Sequence, residues 1–119
     1  MQFMWIAVGG GAGSVIRYLV GLAFSDSHFP WGTLLVNITG AFIIGFLFSW
    51  GLERLPSEIT TPLAVGLLGG FTTFSTFAWE GLFLAGNGQA AQAVTYVGVS
   101  VIGGLAAALL GRALGEVLL

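Results

Sequence analysis

The most informative stretch of the sequence is Gly-Gly-Phe-Thr-Thr-Phe-Ser-Thr-Phe, which runs from Gly69 to Phe77. Two glycines followed by hydroxyl side chains make a poor helix interior, because Ser and Thr compete for backbone hydrogen bonds. A break in the helix here would free carbonyl and N–H groups, and many transporters build their ion sites from such groups. The alternative is an unbroken helix whose hydroxyls bond back to the preceding turn. We expect the break.

Phenylalanines alternate with these hydroxyls at Phe71, Phe74 and Phe77. A spacing of three residues is typical of core packing. Their position beside an expected break supports a second interpretation, because the edge of an aromatic ring carries partial positive charge. Rings presented edge-on would attract an anion without any formal charge.

A few other polar residues lie in apolar surroundings, and each allows a structural and a functional interpretation. Asn37 either ties two helices together or donates hydrogen bonds into a pore. Arg17 either extends to the lipid headgroups or provides a positive charge that draws anions inward. The remaining candidates are Glu80 and two hydroxyls that share one helix face, Tyr96 and Ser100.

The sequence indicates no enzyme chemistry. It has no Cys, a single His and no pair of carboxylates placed for acid–base catalysis. It also lacks metal-ligand side-chain spacing and nucleotide-binding motifs. The net charge of −2 provides no basic surface for nucleic acid. We therefore expect a protein that is not an enzyme, has no catalytic residues and binds no nucleic acid.

The elements that position these residues are predicted to be membrane-spanning helices. Only 7% of the 119 residues are charged and 56% are hydrophobic, whereas a soluble domain has about a quarter of its residues charged. A span needs about 20 mostly apolar residues. The sequence predicts one all-α domain over residues 1–119, whose third helix is broken near its centre. The predicted spans are residues 2–24, 31–52, 62–85 and 90–118.

Rows of small residues predict close contacts between these helices, either within one chain or between two. Four spans leave little interior space, so a transport path would need an interface between two subunits. The positive-inside bias from Arg17, Arg54 and Arg112 is weak. A single orientation and insertion in both orientations, as an antiparallel dimer requires, therefore both remain open.

Three segments together resemble the CrcB/Fluc family of fluoride ion channels. They are Gly10-Gly11-Ala12-Gly13 with Arg17-Tyr18, the run from Gly32 to Asn37, and above all the run from Gly69 to Phe77. The resemblance implies passive export of fluoride by a multi-pass protein in the plasma membrane of a prokaryote. It also implies an antiparallel, dual-topology homodimer in the lipid bilayer, with two pores at the dimer interface.

The resemblance further implies roles for individual residues. The backbone carbonyls of Gly69 and Thr72 would hold a structural sodium ion at the dimer centre. Arg17 would lie near a vestibule and Glu80 near a pore end. The implied pore residues are Asn37, Phe74, Phe77, Ser75, Thr76, Tyr96 and Ser100.

Two other classes remain as alternatives. A small multidrug-type proton-coupled exporter needs a carboxylate within the membrane, and Glu80 is the only candidate. A non-transporting membrane assembly factor would need only the small-residue rows, and it leaves the hydroxyl cluster unexplained.

Overall fold

The computed structural model describes residues 1–119 and is entirely helical, with no strand. The helices are α1 (Gln2–Ala23), α2 (Trp31–Arg54), α3 (57–71), α4 (Phe74–Gly86) and α5 (Ala90–Val117). Helix α2 contains a wide π-helical turn at Leu47–Gly51, and α3 contains another at Pro62–Leu68.

Helices α1, α2 and α5 are each long and apolar enough to cross a membrane. The molecule is 48 Å along its longest axis, which suits a bilayer of about 40–45 Å including headgroups. The all-helical, membrane-spanning character predicted from composition is confirmed. The bounds of these three helices lie within two residues of the predicted spans.

The third predicted span begins earlier than expected. The sequence prediction placed its start at Pro62, because proline suits the first turn of a helix. In the structure the helix begins at Ser57 and continues through Pro62. A proline inside a helix has no N–H to donate and crowds the preceding turn. The wide turn over Pro62–Leu68 accommodates it.

The helix is interrupted between α3 and α4, within the Gly69–Phe77 run. Thr72 (φ −88°, ψ 158°) and Thr73 (φ −150°, ψ 117°) are both extended. The Thr72 hydroxyl folds back to the Leu68 carbonyl at 2.9 Å, as Thr hydroxyls at helix ends commonly do. The stretch predicted as one span therefore consists of two half-helices, and we call Thr72 and Thr73 the interruption.

Helix α1 packs mainly on α3, and glycines allow the two backbones to touch. A Cβ atom added at Gly13 would overlap the carbonyl oxygen of Leu67, and one at Gly70 would overlap the carbonyl oxygen of Gly10. No side chain fits between these backbones. The small-residue row of α1 is thus used within the chain.

Helices α2 and α5 form a second pair of the same kind. A Cβ atom at Gly111 would overlap the carbonyl oxygen of Phe42, and one at Gly45 would overlap that of Ala108. Since lipid supplies no hydrophobic force between helices, such close backbone contact is a main source of their association.

Replacing Gly13 with Ala should destabilise the α1–α3 pair, because the added methyl group meets backbone that cannot move aside. We expect a loss of about 1–3 kcal/mol, seen as a lower melting temperature in detergent. Gly11→Ala is the matched control, since a Cβ at Gly11 meets nothing within 4 Å. Equal melting temperatures for the two variants would contradict the packing described here.

Candidate functional site

Asn37 on α2 bridges to the interruption. Its Nδ2 donates to the Thr73 carbonyl at 2.9 Å, and its Oδ1 accepts from the Thr73 N–H at 2.8 Å. One side-chain amide thus satisfies both backbone groups of an extended residue. The structural interpretation of Asn37, that it ties two helices together, describes this contact. One Nδ2 hydrogen remains for another acceptor.

The carbonyls of Gly69 and Thr72 lose the donors that a continuous helix would give them. In an α-helix they would accept from the N–H groups of Thr73 and Thr76. Here the Thr73 N–H donates to Asn37, and the Thr76 N–H donates to Thr73 Oγ1 at 3.2 Å. These are the two carbonyls that the family resemblance implies as cation ligands.

Gly69 and Thr72 line an open groove of about 340 Å³ between α2 and the two half-helices. We call it the carbonyl groove. Gly69 is exposed there, and no cluster of His, Cys, Asp or Glu capable of holding a metal exists in the protein. A cation at this place would depend on backbone oxygens, which are ligands that hard cations accept. The groove is lined by Asn37, Gly40, Ala41, Ile44, Ala64, Leu68, Gly69, Thr72, Thr73 and Phe74.

A second, more polar groove of about 490 Å³ lies on another side of the interruption. We call it the arginine groove, because Arg17 lies in it, half-buried and without a carboxylate partner. The Nε of Arg17 donates to the Gly70 carbonyl at 3.0 Å. This hydrogen bond holds the half-buried side chain against the backbone of α3. The groove is lined by Ser14, Arg17, Tyr18, Gly21, Leu22, Gly32, Thr33, Thr73 and Thr76.

Hydroxyl groups surround the first turn of α4. Thr73 Oγ1 caps the helix by accepting the Thr76 N–H, and it lies 3.1 Å from Thr76 Oγ1 and 3.5 Å from Ser75 Oγ. The N-terminus of a helix carries partial positive charge from its free N–H groups. Donors and positive potential are therefore concentrated at the start of α4.

The predicted aromatic residues form a line from the surface to the core. The Phe74 side chain is 80% exposed and lies against Phe77, with ring centroids 5.8 Å apart. The half-buried Phe77 ring is 5.3 Å from that of Tyr96, which is completely buried. Phe74 is thus the ring presented outside the chain.

The other predicted polar residues occupy the interior beside this line. Thr33 donates to a carboxylate oxygen of Glu80 at 2.5 Å. The Tyr96 and Ser100 hydroxyls are buried without a hydrogen-bond partner.

Sequence reasoning did not single out Thr33 or Thr73 as site residues. Thr33 lies one helical turn before Asn37, on the same side of α2, and that spacing was the available signal. Thr73 lines both grooves, which only the three-dimensional structure reveals.

The protein is apolar and helical, and its interrupted helix exposes backbone groups and hydroxyls to two grooves. These features define a class, the polytopic membrane proteins that transport ions or small polar solutes. The chain belongs to the CrcB family: the family described as "CrcB-like protein, Camphor Resistance (CrcB)" matches residues 4–112. The resemblance noted from the motifs is confirmed.

Relatives named as fluoride channels match nearly the whole chain. The chain is 46% identical to "Fluoride-specific ion channel FluC" of Hydrogenobaculum sp. (strain Y04AAS1), over 99% of this chain and 100% of that protein. It is 44% identical to the protein of the same name from Bacteroides fragilis (strain YCH46), over 97% and 96% of the two chains. It is 42% identical to "Fluoride-specific ion channel FluC 2" of Clostridium acetobutylicum, over 98% and 96%.

Proposed function

We propose that this protein is a fluoride-selective passive ion channel, not an enzyme, in the plasma membrane of a prokaryote. The structural observation that carries the proposal is the interruption itself, where hydroxyls, the N-terminus of α4 and the exposed Phe74 ring converge. Membership of the CrcB family and the names of its relatives support the same function.

The chemistry suits fluoride, a small anion that holds its water tightly. A selective pore must replace that water with donors of suitable number and spacing. Ser75, Thr76, the N–H groups of the first turn of α4 and the ring edges of Phe74 and Phe77 would supply them. Arg17 would raise the local anion concentration, although the protein has a net charge of −2.

The proposal includes an antiparallel homodimer in which α3 and α4 together make the fourth crossing. Phe74, Gly69 and both grooves are open on the surface of one chain. Irregular backbone at membrane depth must be covered by protein or line a wet path. A second copy of the chain would cover this backbone and create two pores.

A dual-topology dimer predicts that a C-terminal tag is accessible to labelling on both faces of the membrane in intact cells. Labelling from one face only would contradict dual topology.

A sodium ion held by the Gly69 and Thr72 carbonyls belongs to the same proposal. Two carbonyls from one chain are too few to replace an ion's hydration shell, and a symmetry-related pair from the second copy would complete the set. The ion would join the subunits. Exchanging sodium for a large organic cation should lower the melting temperature of the dimer, and no change would argue against the site.

The decisive experiment is fluoride efflux from proteoliposomes, followed with a fluoride electrode. We expect rapid efflux that exceeds chloride efflux and persists when a protonophore collapses the proton gradient. Efflux at the level of empty vesicles, or equal to that of chloride, would reject the channel. The proton-coupled exporter is not favoured, because its one candidate carboxylate, Glu80, accepts a hydrogen bond from Thr33 within the chain. Transport by such an exporter would depend on the proton gradient.

A further inference from the structure

Arg17 makes a contact that a charge in a vestibule does not require. Its Nε donates to the carbonyl of Gly70, a residue 53 positions away on α3. That carbonyl belongs to the last turn of α3, where helical donors are missing. A cationic donor at a helix C-terminus both fills an empty hydrogen-bond site and complements the negative end of the helix.

The same residue, Gly70, is held from a second direction by α1. The Cα atom of Gly70 lies so close to the Gly10 backbone that an added Cβ atom would overlap the Gly10 carbonyl oxygen. Gly70 is thus held on the α1 side by both backbone and side chain, whereas its neighbour Gly69 is exposed towards the carbonyl groove. All carbonyls of a helix point along its axis, but those of consecutive residues lie about 100° apart around it. Holding the Gly70 carbonyl towards α1 therefore fixes where the Gly69 carbonyl is presented.

We propose that Arg17 is a positioning residue: its hydrogen bond to Gly70 orients the last turn of α3 and so presents the Gly69 carbonyl to the carbonyl groove. This inference deepens the proposed function, since it assigns a residue outside the groove to the shaping of the groove. The Arg17 side chain therefore has two separate properties, the hydrogen bond that Nε donates and the positive charge.

Glutamine separates these roles. Its Nε2 occupies the position of Arg Nε along the side chain, so Arg17→Gln keeps an N–H donor to Gly70 while removing the charge. Arg17→Met has similar length and neither property. The matched control is Arg112→Met, since Arg112 on α5 pairs with Glu116 at 2.7 Å and does not line either groove at the interruption.

The first readout is amide hydrogen exchange at Phe71, Thr72 and Thr73 in lipid nanodiscs. We expect exchange in Arg17→Met to be faster by about tenfold, the ratio that loss of one hydrogen bond to a charged group produces. The exchange rates of Arg17→Gln and of Arg112→Met should both stay within about twofold of the rates in the parent protein. Equal rates for Arg17→Gln and Arg17→Met would overturn the proposal, because the charge alone would then explain Arg17.

The second readout rests on the proposed function and is the sodium dependence of the melting temperature. Loss of positioning should raise the sodium concentration at half-maximal stabilisation in Arg17→Met. Loss of a nearby positive charge alone would lower it, because repulsion of the cation is removed. A lower or unchanged midpoint overturns the positioning role.

The two readouts fail separately. If the parent protein shows no sodium dependence, the sodium site is rejected and hydrogen exchange alone decides the role of Arg17. If Arg17→Met does not fold while Arg17→Gln does, the hydrogen bond is the required feature. If neither folds while Arg112→Met does, the charge is required and the proposal is overturned.

Discussion

Replacing Asn37 with Asp is expected to reduce fluoride efflux to the level of empty vesicles. The carboxylate can still accept from the Thr73 N–H, but it cannot donate to the Thr73 carbonyl 2.9 Å away. Two oxygens would then face each other beside a groove, and a negative charge would stand next to the proposed anion path. Two like charges about 4 Å apart near a protein surface repel by about 4 kcal/mol. We therefore expect a decrease in rate of about 100-fold or more.

The control for this substitution is Asn87→Asp, which makes the same chemical change in the exposed turn after α4. It should leave efflux within about twofold of the parent rate, as exposed substitutions usually do. Melting temperature and dimer content should be measured for both variants. A folded Asn37→Asp protein with normal efflux would remove the Asn37–Thr73 bridge from the transport site.

Replacing Phe74 with Ile is expected to slow fluoride efflux by about tenfold, the upper range of what aromatic-edge interactions provide. Isoleucine keeps an apolar side chain of comparable bulk and removes the ring edge. Because Phe74 is 80% exposed in one chain, its loss leaves no cavity in the fold. Efflux should therefore fall while the melting temperature of the protein stays near that of the parent.

Phe83→Ile is the matched control on the same helix. Phe83 is 55% exposed and contacts Trp79 rather than the interruption. Its replacement should not change the rate. Equal decreases for both variants would show that the aromatic side chains of α4 act on packing and not on the ion.

Local composition was enough to predict the membrane helices and the place of the interruption. Charge scarcity predicted the three helices that are long and apolar enough to cross a membrane. The Gly-Gly pair followed by hydroxyls predicted a break within the Gly69–Phe77 run, where the structure has Thr72 and Thr73 extended. The start of the third span was wrong because the preference of proline for a first turn is statistical. The structure keeps Pro62 inside the helix by widening the turn.

The partners of the polar side chains could not be predicted in the same way. Asn37 bonds a residue 36 positions away, and Arg17 bonds one 53 positions away. Which of several acceptors such a side chain reaches depends on how the helices are set against each other. The burial of Tyr96 was also not predictable, because apolar residues are spread around all sides of α5 and do not mark which face is covered. The assignment of the predicted pore residues and of the sodium ligands stays a prediction.

The glycine contacts have a mechanical consequence for the whole molecule. Where backbone lies on backbone, no side-chain rotamer can absorb a relative shift, so α1 with α3 and α2 with α5 each behave as one rigid body. The pair of hydrogen bonds between Asn37 and Thr73 joins one body to the other. A slide of the two bodies along the membrane normal that carries these atoms beyond hydrogen-bond distance would break both bonds. The height of the interruption within the bilayer is therefore a property of how two helix pairs are aligned, and no single helix determines it.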